Sequence, residues 1–144
     1  MDAVHPWPSE FPEGCPPPDC VDPVGTALYR FGTCGSRVMS EDLRSHAARN
    51  PVKWGYECRF HGLSVYSNIN GLKAAWKQNP KLASKRWKSV IELRPPVGCS
   101  EWAHTPSRGN AAHATLWLRN GSEQSVLQSA TLVVDGIARV ESAS

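Results

Sequence analysis

The chain is short of long apolar runs, short of acidic residues through its middle, and without any of the common nucleotide or hydrolase signatures. No uncharged apolar stretch comes near the roughly 18 residues that a membrane-spanning helix needs, so the sequence predicts no membrane segment. The start is acidic and proline-rich, without the apolar core of a secretory signal, and a cytoplasmic location is the expectation from it. A phosphate loop, a dinucleotide fingerprint, a nucleophile elbow and a metalloprotease helix are all missing. Paired carboxylates for glycoside-type hydrolysis are not evident, and no cofactor is implied. Cysteine is odd in number, five in 144 residues, with irregular spacing. Together with the missing secretory signal this predicts free, partly buried thiols rather than a disulfide framework. A zinc site on Cys15, Cys20, Cys58 and His61 has to be weighed. Pro16, Pro17 and Pro18 stiffen the first pair against the tight turn a zinc knuckle needs, so no metal is expected.

What the chain does hold is a polarised charge layout. Its net charge is +3, yet residues 1–29 carry five acids and no Lys or Arg, which leaves sixteen basic against eight acidic residues beyond them. From Cys58 to Ile91 there are seven basic residues and no acid. Such a field attracts phosphates or an acidic partner, although lysines on a solvated helix face would give the same pattern. Lys73, Lys77, Lys85, Arg86 and Lys88, interleaved with Trp76 and Trp87 in the basic 59–94 segment, are the candidates for single-stranded nucleic-acid binding.

Seven of the twelve prolines fall in residues 1–25, which excludes a helix or a central strand there. This segment is expected to be an extended acidic arm, mobile or laid over the surface, with one domain spanning 26–144. Within the domain Ala27 to Phe31 reads as a strand. A helix is expected from Ser40, as its N-cap, to about Arg49 before Pro51. Gly62 to Tyr66 reads as a second strand, and Ile69, Leu72 and Trp76 mark a helical face closed by Asn79-Pro80. Trp87 to Arg94 and Ala112 to Leu118 alternate as strands, with 97–110 as a long loop between them. Residues 126–141 fit either helical spacing or a hairpin around Asp135-Gly136. The expected fold is α+β: a small, mainly antiparallel sheet of about four or more strands, two or three short helices and the irregular arm.

Period-two alternation then selects candidate site residues. Apolar neighbours flank Ser64 and His113, which should turn Arg30, Ser64, Tyr66, His113 and Trp117 away from the core. If these faces meet, a cation, hydroxyls, an imidazole and an indole form a cleft for an anionic or nucleotide-like ligand; if not, they are the solvent face of the sheet.

Five stretches in order, Leu28-Tyr29-Arg30, Ser40 to Ser45, Gly62 to Tyr66, Trp87 to Leu93 and Ala112 to Trp117, resemble those of a loose group of small uncharacterised bacterial proteins over residues 27–118. Leu43 stands where that pattern has an aromatic, and Ala112 where it has Gly. More distantly, Arg30 with Ser64 and Tyr66 resembles the ADP-ribosyltransferase-like fold, which includes the RNA 2′-phosphotransferases. That resemblance implies an enzyme acting on a nucleotide or NAD, except that His113 stands on the late strand where the group carries an acid. The functional expectations are thus a binding domain for an anionic small molecule or a protein partner, an enzyme of that kind, or a nucleic-acid binder.

Overall fold

Apolar side chains on both sides of the central strands bury both faces of one sheet. The computed structural model describes residues 5–107 and 109–141. The remaining positions of the expected arm and domain, 1–4, 108 and 142–144, lie outside the described residues. The strands are β1 (Leu28–Gly32), β2 (Leu63–Tyr66), β3 (Ser89–Leu93), β4 (Ser100–His104), β5 (His113–Leu118) and β6 (Thr131–Leu132). They form a six-stranded sheet in the order β4-β5-β2-β1-β3-β6, with every pairing antiparallel. Among the described residues six short helices complete an α+β fold: α1 (His46–Arg49), α2 (Pro51–Trp54), α3 (Ile69–Gln78), α4 (Pro80–Arg86), α5 (Glu123–Ser129) and α6 (Gly136–Glu141). The class matches the expectation, with more helices than the two or three expected.

Register decides which side chains share a face. Leu28, Leu63, Val65, Ile91, Leu93, Ala114 and Leu116 pack on one side under Leu43, Cys99 and Val126. Phe31 and Val90 face the other side, covered by Leu72 and Trp76 of α3, Ala83 of α4 and Val140 of α6. Val90 and Ile91 are neighbours in β3 and both are fully buried. Only a sheet covered on both faces allows that.

The local departures have local causes. The helix expected over 40–49 is broken in two. A 3-10 turn at Ser40–Leu43 ends in extended backbone at Arg44, and the Ser45 hydroxyl starts α1 afresh by accepting from Ala48 N at 3.1 Å. Asn50 likewise caps α2 and Asn68 caps α3. Asn79 caps α4, with Pro80 in its first turn. The loop expected over 97–110 contains β4, an edge strand zipped to β5 from Ser100↔Leu118 to His104↔Ala114. The ambiguous 126–141 segment is α5, then β6 beside β3, then a turn with Asp135 at φ 53 leading into α6.

The described part of the proline-rich arm lies on the domain. Val21 bridges to Trp102 of β4, Asp22 accepts from Gly98 N at 2.8 Å, and Asn120 N donates to Pro6 O at 2.8 Å. Cys15 and Cys20 bury themselves against Trp117 in a third apolar cluster, with Trp7 and Phe11 at its rim. The expectation of free thiols is corrected here. Cys15 and Cys58 are joined in a disulfide, while Cys20, Cys34 and Cys99 are free. Chain folding brings the two sulfurs together across 43 residues, a proximity that spacing alone does not reveal. The disulfide sits at odds with the cytoplasmic location expected from the acidic, proline-rich start, because such bonds are rare in reducing compartments. It also takes two of the four groups weighed for zinc, and His61 Nε2 is engaged with Gly55 O at 2.8 Å. No group of three or more potential metal ligands occurs among the described residues. No helix of the described residues is long and apolar enough to cross a membrane.

Candidate anion-binding cleft

The sheet has one weak seam. The ladder between β1 and β2 consists of a single pair, Tyr29 with Tyr66, whereas β1 pairs with β3 along five residues. Beyond Tyr29 the two strands part, and the Arg30 guanidinium fills the gap. Its Nε donates to Asp42 O at 2.6 Å and its Nη1 to Ser64 O at 2.7 Å. Asp42, only 1% exposed, braces the loop from the other side. Its carboxylate accepts from Thr33 N and Thr33 Oγ1 at 3.2 and 2.8 Å and from Met39 N at 3.1 Å.

At this seam opens a cleft of about 190 Å³. Its wall carries Arg30 from β1, Arg44 and Ser45 before α1, His46 and Arg49 from α1, Ser64 and Tyr66 from β2, and Arg86 with Trp87 at the end of α4. Four arginines and a histidine thus line one small space, and no Asp or Glu lines it. The ion pairs among the described residues are Arg59 with Glu57, Arg94 with Glu92 and Arg119 with Glu101, so none of the four arginines is neutralised by an ion pair.

Burial comes first in the titration behaviour of the cleft, and the neighbouring cations come second. Burial, then repulsion from Arg49, pulls the Arg30 guanidinium down to about 10, with Asp42 opposing. His46 is held below the usual imidazole range by burial first and then by Arg30, Arg49 and Arg86. Burial raises the Tyr66 phenol, and Arg30 works against it. Like charges outnumbering the nearby Asp42 carboxylate make a positive potential, and an anion entering the cleft relieves the repulsion.

The five sequence-selected residues divide. Arg30, Ser64 and Tyr66 meet at the cleft. Arg30 arrives from an unexpected direction: its partner across β3 is Ile91, so its backbone belongs to the Leu28 face, and only its long side chain reaches the seam. His113 stands beside the cleft. Its Nε2 lies 3.2 Å from Ser64 Oγ, and its ring meets the Tyr66 ring edge to face at 5.4 Å. Trp117 lies elsewhere, 1% exposed, with its Nε1 donating to Cys58 O at 3.0 Å beneath the arm. Arg44, His46 and Arg49 were not selected from the sequence. Their signal was present as two arginines and a histidine in six residues, immediately before and within a short helix.

No family model, curated protein or solved structure matches this chain. Its reading therefore rests on the site itself.

A second cavity, larger at about 550 Å³, adjoins the cleft and shares Arg44, Ser45 and Leu63 with it. Its walls are Pro8, Glu10 and Phe11 of the arm, the α1–α2 region, Leu118 and Glu123. Size favours this cavity, but it mixes two acids with apolar and backbone groups. The smaller cleft has the convergent donors that bind and orient a charged ligand, and those decide in its favour.

Of the nucleic-acid candidates, Arg86 alone lines the cleft. Lys77, Lys85 and Lys88 are exposed and Lys73 is half-buried. The aromatics interleaved with them serve packing. Trp76 is 6% exposed, and Trp87 stacks on Phe31 with ring centroids 4.1 Å apart and planes at 2°.

Proposed function

We propose that the protein binds a small phosphate-bearing ligand in the arginine cleft between β1 and β2. The observation that carries this reading is the convergence of Arg30, Arg44, Arg49, Arg86 and His46 on one cavity without an acid in its wall. Guanidinium forks match the oxygens of a phosphate better than any other side chain does. The volume of about 190 Å³ lies below the roughly 300–1,000 Å³ of pockets that enclose drug-sized molecules. It suits a phosphate with a sugar or similar fragment rather than a whole dinucleotide. Tyr66 at the wall gives such a fragment an aromatic surface, in keeping with a nucleotide-like ligand.

The ADP-ribosyltransferase-like reading has less support. Its late acid has no counterpart in the cleft wall, and Glu123 lines the neighbouring cavity instead. The nucleic-acid reading lacks an aromatic stacking platform along the lysine-bearing helices.

The test is calorimetric titration with inorganic phosphate and with a nucleoside monophosphate. Arg49→Ala and Arg86→Ala should each weaken binding by about tenfold or more, as expected on removing a charge-assisted bond of roughly 1.5–3 kcal/mol. Arg86 is exposed and makes no hydrogen bond to the fold, so its loss should leave the melting temperature close to that of the parent. Parent protein that binds neither probe, or variants that bind as well as the parent, would sink the proposal.

A further inference from the structure

Beside the cleft lies a pair of groups that anion binding does not use. The His113 ring is fixed through its Nδ1, which sits 2.7 Å from Thr105 O and 3.2 Å from Thr105 Oγ1. A carbonyl oxygen can only accept, so Nδ1 carries the proton. In the neutral ring this leaves Nε2 as a bare acceptor. Nε2 faces Ser64 Oγ at 3.2 Å, so the serine hydroxyl donates to it. Thr105 is held in turn by Thr115, hydroxyl to hydroxyl at 2.7 Å, and Tyr66 supports the imidazole edge to face. The arrangement is a hydroxyl, a base within reach of its proton, and a third group that sets the base's tautomer. That is the geometry of an activated nucleophile. Ser64 is exposed and lines the cleft, and its own carbonyl receives Arg30 Nη1. The nucleophile thus belongs to a residue of the cleft wall that is bonded through its backbone to Arg30.

We infer that Ser64 and His113 are a nucleophile and its base, acting on phosphate esters held by the arginines. The inference rests on the phosphate-binding reading above and adds a reaction to it. In the first step the Ser64 Oγ–P bond forms as the P–O bond to the leaving alcohol breaks. The hydroxyl proton passes to His113 Nε2 and from there to the leaving oxygen. In the second step water attacks phosphorus and gives its proton to His113 Nε2. The Ser64 oxygen departs and takes that proton back. The sum is hydrolysis of the ester to alcohol and phosphate, with no change of oxidation state. The arginines contribute by stabilising charge on the phosphoryl oxygens as the bonds exchange.

The experiment uses the full chain with p-nitrophenyl phosphate and bis(p-nitrophenyl) phosphate, and follows release of p-nitrophenolate. Ser64→Ala and His113→Gln should each lower turnover by at least about 100-fold, the lower range for loss of a nucleophile or general base. Inorganic phosphate, titrated against the same two variants, should bind nearly as it does to the parent. Parent protein quenched during turnover should carry one added phosphoryl or p-nitrophenyl-phosphoryl group on the peptide containing Ser64. If the parent binds phosphate but hydrolyses neither ester, the nucleophile is overturned and the binding cleft stands. Hydrolysis that survives Ser64→Ala overturns it equally. If the parent does not bind phosphate at all, the cleft reading falls and the inference with it.

Discussion

His46 is the residue through which the cleft should sense acidity. Around it stand Arg30 from β1, Arg49 on its own helix and Arg86 from α4, while Trp54 and Phe60 pack against its ring. Burial and these three cations disfavour the imidazolium, so the free protein keeps His46 neutral to lower pH than an unfolded chain does. Two consequences have definite signs. The stability linked to His46 is fully present above the unfolded histidine value, about 6.5, and is lost as pH falls through the depressed folded value. Anion affinity moves oppositely. A bound anion offsets the cations and favours protonation, so the complex holds more protons than the free protein and binding tightens as pH falls. Sulfate is the suitable probe because it does not itself titrate near neutrality. Its affinity should rise between pH 7.5 and pH 5.5, and His46→Asn should flatten that slope, both read by calorimetry. An affinity independent of pH in the parent would mean that His46 does not face the bound anion.

At the scale of elements, the seam between β1 and β2 makes Arg30 structural as well as functional. Removing it leaves Asp42 O and Ser64 O without their donor at a place where the strand ladder has already ended. Arg30→Ala should cost about 3 kcal/mol, from two bonds to a charged donor. In a domain of this size that is a fall in melting temperature of roughly 10 °C, measurable by calorimetry or circular dichroism. Arg86→Ala, by contrast, should hardly move it. Equal melting temperatures for the two variants would show that the seam needs no plug.

The same seam explains what was legible in the sequence and what was not. Leu63, Val65, Ala114 and Leu116 alternate cleanly with Ser64, Thr115 and His113, so the directions of β2 and β5 follow from period two alone. In β1 apolar residues occupy both faces, Leu28 on one and Phe31 on the other, so alternation could not say where Arg30 points. Trp117 alternates as expected, but the face it turns to is buried by the arm, and no local pattern announces a long-range cover. Strand β4 was hidden because Ser100-Glu101-Trp102-Ala103-His104 has little apolar periodicity and draws its conformation from pairing with β5. The cationic wall escaped because its members come from three separate segments, and only the fold adds them together.

For the molecule as a whole, the Cys15–Cys58 disulfide ties the arm to the segment before β2. A cross-link closing a loop over a separation of 43 residues stabilises a fold by about 4 kcal/mol on chain-entropy grounds. Cys58→Ser, or reduction of the parent, should therefore lower the melting temperature substantially and expose Trp117 to solvent, seen as a red shift in tryptophan emission. A melting curve unchanged by reductant would show that the two thiols are not joined in solution.

The bridge from Val21 to Trp102 has a consequence for how copies of this protein behave toward one another. Strand β4 is the outermost strand on its side, and an open outermost strand offers its backbone groups to any neighbouring chain as a template. The arm occupies part of that margin, with Val21 N donating to Trp102 O at 3.0 Å and Trp102 N to Val21 O at 2.8 Å. The opposite margin is guarded differently: β6 is two residues long and turns at once toward α6, too brief to seed a ladder. The arm is in this sense a sheath. By spending its own hydrogen bonds on β4, it keeps the sheet from growing by strand addition into a second molecule.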